Sequence, residues 1–331
     1  MADKPKIMFA TNPNPRNRAL IDGLIALDGY DFEYVGDKYT PGEMHYRFVQ
    51  GEFDVAEMST ATLMRAKEKG KRFLALPVFF QRGPRQRNIF HCAGKVNHPS
   101  ELKGKQIGAF RYGATAVSWA RGYLLDEHGI KTTDVSWFVS GQEVYIANEL
   151  PVKVERLDPP PPFGQEKSHL SRLLSEGKLG AALVAGDSGY TGLFGGGTLP
   201  GVMGQFPGVK PLFDDTEEIL RYVKRTQIYP IIHIMTVKEE TVEKYPDLAA
   251  KLIEAFREAN RQAVNYMKPA EAEGYAKERD LLGYDPYACV LTDADKKSIQ
   301  ALNRYQIEQG LVKRELSLES LFVKEAFRKN G

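Results

Sequence analysis

The sequence predicts a two-lobed α/β protein with a helical C-terminal region, on three observations. Apolar runs of strand length alternate with helical patterns from Ile7 to Thr236. The composition shifts twice, near Lys95–Pro99 and near Tyr229–Pro230, so the chain leaves a first lobe and returns to it. From Asp247 onward the pattern is almost wholly helical. Strands alternating with helices imply parallel sheet built by crossover connections.

In chain order the strand-like runs are Ile7–Ala10, Phe32–Val35, Val55–Met58, Phe73–Phe79, Ile89–Cys92, Gln106–Phe110, Ala181–Val184 and Ile231–Thr236. Each is short and mainly apolar, as a buried strand requires. The helical patterns are Arg18–Leu27, Thr60–Lys69, Ala116–His128, Leu170–Glu176, Asp247–Met267 and Asp293–Gln309. The expected lobes are 1–92 with 230–331, and 93–229. Pro159–Pro162 reads as a stiff loop and Gly192–Gly197 as a flexible one, both in the second lobe.

The chain has 331 residues, 42% hydrophobic and 27% charged, an ordinary globular mixture. Lys and Arg number 45 against 43 Asp and Glu, so no global field recruits nucleic acid or an anionic membrane. Cys92 and Cys289 are too few for a disulfide framework and lack paired metal-ligand spacing. The N-terminal residues carry no apolar export segment, and no later stretch has the run of about 18 apolar residues that spans a membrane. The expectation is a cytoplasmic protein. No metal constellation stands out and no organic cofactor is expected; a divalent metal assembled from distant loops is left open. The two long C-terminal helices offer surface for a homo-oligomer.

Open α/β sheets bind ligands beyond the carboxyl ends of their strands, and two such lobes would form a cleft. The residues after each strand are therefore the candidates. Arg82, Arg85 and Arg87 follow one strand, and a guanidinium donates two parallel hydrogen bonds to a carboxylate; the alternative is a solvated basic loop. Gly113-Ala-Thr115 precedes a helix, so backbone amides and the Thr115 hydroxyl could cradle an anion, with Tyr112 flanking an aromatic ring; Thr115 equally reads as a plain N-cap. Arg16 and Arg18 lie in the first strand-to-helix loop, Arg16 nearer the strand end; either could instead pair with Asp22 or Glu33. Glu57 and Ser59 share one side of their strand, and a carboxylate there needs a partner, with Arg82 one option. His233 sits in a buried apolar run, either as a core residue or as an acid titrating near neutrality. His91 is a reserve candidate, and His45, His98, His128 and His169 read as loop or helix-surface residues.

These same places carry a resemblance. Arg16-Asn-Arg-Ala-Leu-Ile-Asp-Gly23, Glu52-Phe-Asp-Val-Ala-Glu-Met-Ser59, Leu76-Pro-Val-Phe79, Leu102-Lys-Gly-Lys105, Trp119-Ala-Arg-Gly122, Pro230-Ile-Ile-His233 and Glu308-Gln-Gly-Leu311 are spread in order over most of the chain. With them the sequence resembles the 4,5-dihydroxyphthalate decarboxylase family, whose fold is similar to the type II periplasmic binding proteins. The resemblance implies a ligand cleft between the lobes, a phthalate-like hydroxylated carboxylate as substrate, and cofactor-independent loss of CO2 to give 3,4-dihydroxybenzoate or a close analogue. Read together with the residues above, it gives the expectation that Arg82 and Arg85 with the Thr115 helix start fix carboxylates, that Arg16, Ser59 and Tyr112 line the substrate, that Glu57 orients an arginine or takes the proton of a ring hydroxyl, and that His233 protonates the ring. Three departures bear on which aromatic acid is bound: Gln86 stands where the family has a histidine, Val184-Ala-Gly-Asp187 lacks an arginine, and Pro151–Gln165 is atypical. The alternative is a solute-binding protein delivering an aromatic carboxylate or other small anion to a transporter. The absence of an export segment speaks against it. A lyase like those of menaquinone synthesis is a third reading.

Overall fold

The computed structural model describes residues 4–143, 150, 152–159, 161, 165–185 and 202–328. Gly192–Gly197 and Asp187, like Pro160 and Pro162 of the proline run, lie outside the described residues. The chain divides into two compact units, Met1–Arg82 with Ile231–Lys296 and Leu316–Gly331, and Gly83–Pro230 with Lys297–Glu315.

The first unit is built on a five-stranded sheet. Its strands are β1 (Lys6–Ala10), β2 (Asp31–Tyr34), β3 (Val55–Ser59), β4 (Phe73–Arg82) and β11 (Ile231–Lys238), in the order β2-β1-β3-β11-β4. β1 runs parallel to β2 and β3, as crossover connections require. β11 is antiparallel to both β3 and β4, because it re-enters from the other unit and not through a crossover helix. Every residue of β3 is buried, the mark of a strand covered on both faces. The register of β11 against β4 shifts on either side of His233. Such irregularities turn a side chain out of the regular alternation.

Among the described residues the second unit holds six strands in the order β10-β5-β9-β6-β7-β8: β5 (Ile89–Cys92), β6 (Gln106–Ala109), β7 (Ser136–Val139), β8 (Val154–Arg156), β9 (Ala181–Leu183) and β10 (Val209–Pro211). β6 is parallel to β7 and β9, and β5 is antiparallel to β9 and β10. Its core packs Phe90, Leu170, Leu174, Ala182 and Met203.

Two boundaries differ from expectation. β5 hydrogen-bonds to β9 and β10, so the change of unit falls at Arg82/Gly83 and not at residue 92. Residues 297–315, expected in the first lobe, belong to the second unit. Arg121 and Ser118, on the helix Thr115–His128, bind Gln309 and Gln306 there. The helix expected over Arg18–Leu27 stops at Ile21, and helices Pro41–Val49, Thr216–Thr226 and Pro269–Leu282 were not expected. Among the described residues no helix is long and apolar enough to cross a membrane.

Candidate active site

In the first unit the order β1-β3-β11 brings Thr11, Glu57 and His233 together at the carboxyl end of β1 and β3. Glu57 is 3% exposed, and its Oε1 lies 2.7 Å from His233 Nδ1. Its Oε2 accepts from the Thr11 hydroxyl at 2.7 Å and the Asn12 amide at 2.9 Å. Burial alone would push this carboxyl up. The hydrogen bond and charge of His233, with the donors of Thr11 and Asn12, outweigh it and hold Glu57 at about 2. An ionised carboxylate only accepts, so the hydrogen between the two groups sits on His233 Nδ1. The ring, 19% exposed, is thereby fixed with Nε2 left for chemistry. His45, expected on a surface, is buried and stands edge-on to His233 at 5.1 Å. Ser59 is buried opposite His233 in the strand register.

Thr11 is clamped in turn. Asn17 Nδ2 donates to its hydroxyl at 3.0 Å, and the Tyr34 hydroxyl donates to its carbonyl at 3.1 Å. Gly36 passes so close that an added Cβ would lie 2.6 Å from the Thr11 carbonyl oxygen and 2.9 Å from its nitrogen. Backbone cannot yield as a flexible side chain can. Gly36→Ala should therefore destabilise the fold by about 1–3 kcal/mol, read by denaturant unfolding; an unchanged midpoint would mean that Thr11 shifts without strain.

The loop that carries Thr11 also carries Arg16, whose guanidinium lies 3.6 Å over the Tyr287 ring and 5.0 Å from that of Tyr275. Arg16 Nε has no hydrogen-bond partner among the described residues. Beside it the buried Glu278, on the helix Pro269–Leu282, is pushed up to about 7 by burial, although Arg16, Arg82 and the Tyr287 hydroxyl oppose the shift. Arg18 pairs on the surface with Asp22 at 2.8 Å. Arg82 is buried against Asp295 at 2.7 Å and donates to the Pro286 carbonyl at 2.7 Å, so the partner expected for Glu57 is engaged elsewhere.

The second unit holds the other candidates. Arg85 is buried and donates to Asn88 Oδ1 at 3.4 Å, with Gln86 buried beside it in sequence. Arg87 binds Asp214 at 3.0 Å and Thr216 at 2.5 Å. Arg82, Arg85 and Arg87 are thus three separately partnered groups, the first in one unit and the others in the second. Thr115 is buried at the start of its helix, whose N-cap, Ala114, has no side-chain cap. The backbone amides of Tyr112 and Gly113 are occupied by the Glu143 carboxylate, at 2.5 and 3.1 Å. The Tyr112 ring is fully buried, edge-on to Trp137 at 5.4 Å and 3.9 Å beneath the Arg121 guanidinium. His91, the reserve histidine, is buried with Nδ1 on the Val96 carbonyl. Cys92 and Cys289 are free and buried, and among the described residues no group of three or more His, Cys, Asp or Glu could hold a metal.

Sequence reasoning singled out Glu57 and His233 separately and the structure joins them. It missed Glu278, Tyr287 and Glu143, for which a charged helix and an irregular loop give no signal of depth.

No family model matches the chain. A 4,5-dihydroxyphthalate decarboxylase from Pseudomonas putida is 31% identical over 197 residues, 55% of this chain and 74% of that protein. One from Comamonas testosteroni is 28% identical over 280 residues, 81% of this chain and 79% of that protein. Among solved structures, the periplasmic aliphatic sulphonate binding protein SsuA from Escherichia coli aligns with a TM-score of 0.56 at 12% identity, covering 97% of this chain and 93% of that one. The desulfurization enzyme DSZB aligns with a TM-score of 0.51 at 13% identity over 97% of both chains. At these identities the structural likeness shows the fold, a two-lobed architecture of the periplasmic-binding-protein type.

Proposed function

Because this chain belongs to the 4,5-dihydroxyphthalate decarboxylase family, we infer that it is a carboxy-lyase that removes CO2 from a hydroxylated phthalate, converting 4,5-dihydroxyphthalate to 3,4-dihydroxybenzoate. The observation that carries the chemistry is the 2.7 Å hydrogen bond between His233 and the ionised Glu57. Decarboxylation of an aromatic acid needs a proton delivered to the ring carbon that bears the leaving carboxylate. Glu57 holds and orients the His233 ring through Nδ1, and Nε2–H gives its proton to that carbon. The hydroxyl para to the leaving group takes up the charge as a protonated-ketone-like form. The carbon–carbon bond then breaks, its electron pair restores the aromatic ring, and CO2 departs. Neutral His233 regains a proton from water, so each turnover consumes one proton. Arg16, stacked on Tyr287 with Nε unpartnered, holds the carboxylate that remains.

In the second unit the amides of Tyr112 and Gly113 already hold a carboxylate, that of Glu143. An added carboxylate can use them only by displacing it. Glu143→Gln should therefore tighten benzoate binding by about three- to tenfold, the gain from removing a competing charge-assisted hydrogen bond. Calorimetric titration reads it, and an unchanged Kd would show that ligand carboxylates bind elsewhere.

Incubating the protein with 4,5-dihydroxyphthalate tests the reaction itself. Stoichiometric CO2 and 3,4-dihydroxybenzoate are expected; saturable binding with no loss of substrate would replace the enzyme with a binding protein.

A further inference from the structure

A cavity of about 340 Å³ in the second unit is lined by Arg121, Lys131, Thr132, Thr133, Glu308 and Gln309, with Leu125 as its apolar element. Its volume is at the lower end of those that hold small molecules. Arg121 is 3% exposed, and three of its bonds tie it to its surroundings: Nε and Nη2 to Gln309 Oε1 at 3.0 and 2.7 Å, and Nη2 to the Tyr112 carbonyl at 2.9 Å. These bonds explain the shape of the site but not its charge. Among the described residues no carboxylate lies within ion-pair distance of Arg121, and its Nη1 is buried with no hydrogen-bond partner. A buried charge without a counter-charge is costly, and a buried unpaired donor adds to that cost. The rings of Tyr112 and Trp137, 3.9 and 5.3 Å from the guanidinium carbon, offset part of it. Neither ring carries the full negative charge of an oxyanion. Burial lowers the pKa of Arg121, and the charge of Glu143, which makes no ion pair with it, opposes that shift only in part. The acid on the lining, Glu308, is engaged by Arg304 at 3.0 Å.

We propose that this cavity is a binding site for a small oxyanion, a carboxylate or a phosphate, which supplies at close range the counter-charge that Glu143 supplies to Arg121 only from a distance. Arg121 is the buried anchor, Lys131 the exposed second cation, and the Thr132 and Thr133 hydroxyls add donors at the mouth. The site lies in the second unit and is separate from His233 and Glu57 in the first. It does not depend on the decarboxylase reading.

Calorimetric titration and thermal unfolding of the intact protein in anion-poor buffer, with benzoate and with inorganic phosphate as separate probes, test the proposal. At least one probe should bind and raise Tm; which one does so identifies the class. Lys131→Glu, a change at an exposed position, should weaken that probe about tenfold and leave kcat on 4,5-dihydroxyphthalate within twofold. Arg121→Gln, which keeps hydrogen-bonding capacity and removes the charge, should abolish the Tm rise while its Tm without anion stays at or above that of the parent. Binding of neither probe, or a benzoate response undiminished in both variants, would overturn the site.

Discussion

His233→Asn should lower kcat by a factor of about 10² to 10⁴, the range that a positioned general acid contributes, while substrate Kd stays within a few fold. Asparagine can keep a hydrogen bond to Glu57 Oε1 but has no titratable nitrogen to present to the ring. The measurement separates catalysis from binding: single-turnover release of CO2 gives the chemical step, and calorimetry on the variant gives Kd. Glu57→Gln tests the partner. It retains the shape that Thr11 and Asn12 recognise and removes the charged acceptor that orients the His233 ring, so its loss should fall in kcat as well. Turnover of His233→Asn at the parental rate would remove the histidine from the mechanism and leave Glu278, a buried carboxyl of the first unit, to be tested in its place.

Glu278 carries the second expectation. Its carboxyl is raised from an ordinary value of 4.5 to about 7 in the fold. The native state therefore binds more protons than the unfolded chain between those two values, and its stability falls as pH rises through that window. Below about 4.5 both states are protonated and above about 7 both are ionised, so the effect is confined to the interval between. Its full size, from the shift and 1.36 kcal/mol per pKa unit, is on the order of 3 kcal/mol. Glu278→Gln should remove this dependence and make the protein more stable at pH 8 than its parent, with little difference at pH 4.5. Urea unfolding at several pH values reads it. Parallel curves for the two proteins would show that Arg16 and Arg82 already neutralise the carboxylate.

Much of the fold was legible because its strands are apolar and bounded: β3 and β5 stand close to where the alternation of runs puts them. β8 and β10 are three residues each, with charged residues in one and a terminal proline in the other, and offer no period to read. β7 is only four residues long and starts at an exposed serine. For the site, residue type proved a better guide than partnership. Glu57 and His233 were identifiable as a carboxylate and an imidazole needing explanation, yet they are 176 positions apart and meet only through the strand order. Arg82 reads as a ligand arginine until Asp295, far along the chain, is placed against it. Tyr112 stands where a ring-flanking residue belongs, but its backbone position says nothing of a side chain turned into the core beside Trp137.

The placement of β11 between β3 and β4 also governs how the molecule comes into being. Among the described residues β4, ten largely apolar residues, has β11 as its one neighbouring strand, with a single further bridge from Ala75 to Phe322. A nascent chain that has emerged only as far as Pro230 therefore displays β4 with no hydrogen-bonding partner on either edge, and the second unit still lacks Lys297–Glu315. An unpaired apolar strand is a template for association with other chains. The first unit's sheet cannot close during synthesis until the segment bearing His233 has left the ribosome, and β4 stays open to association until then.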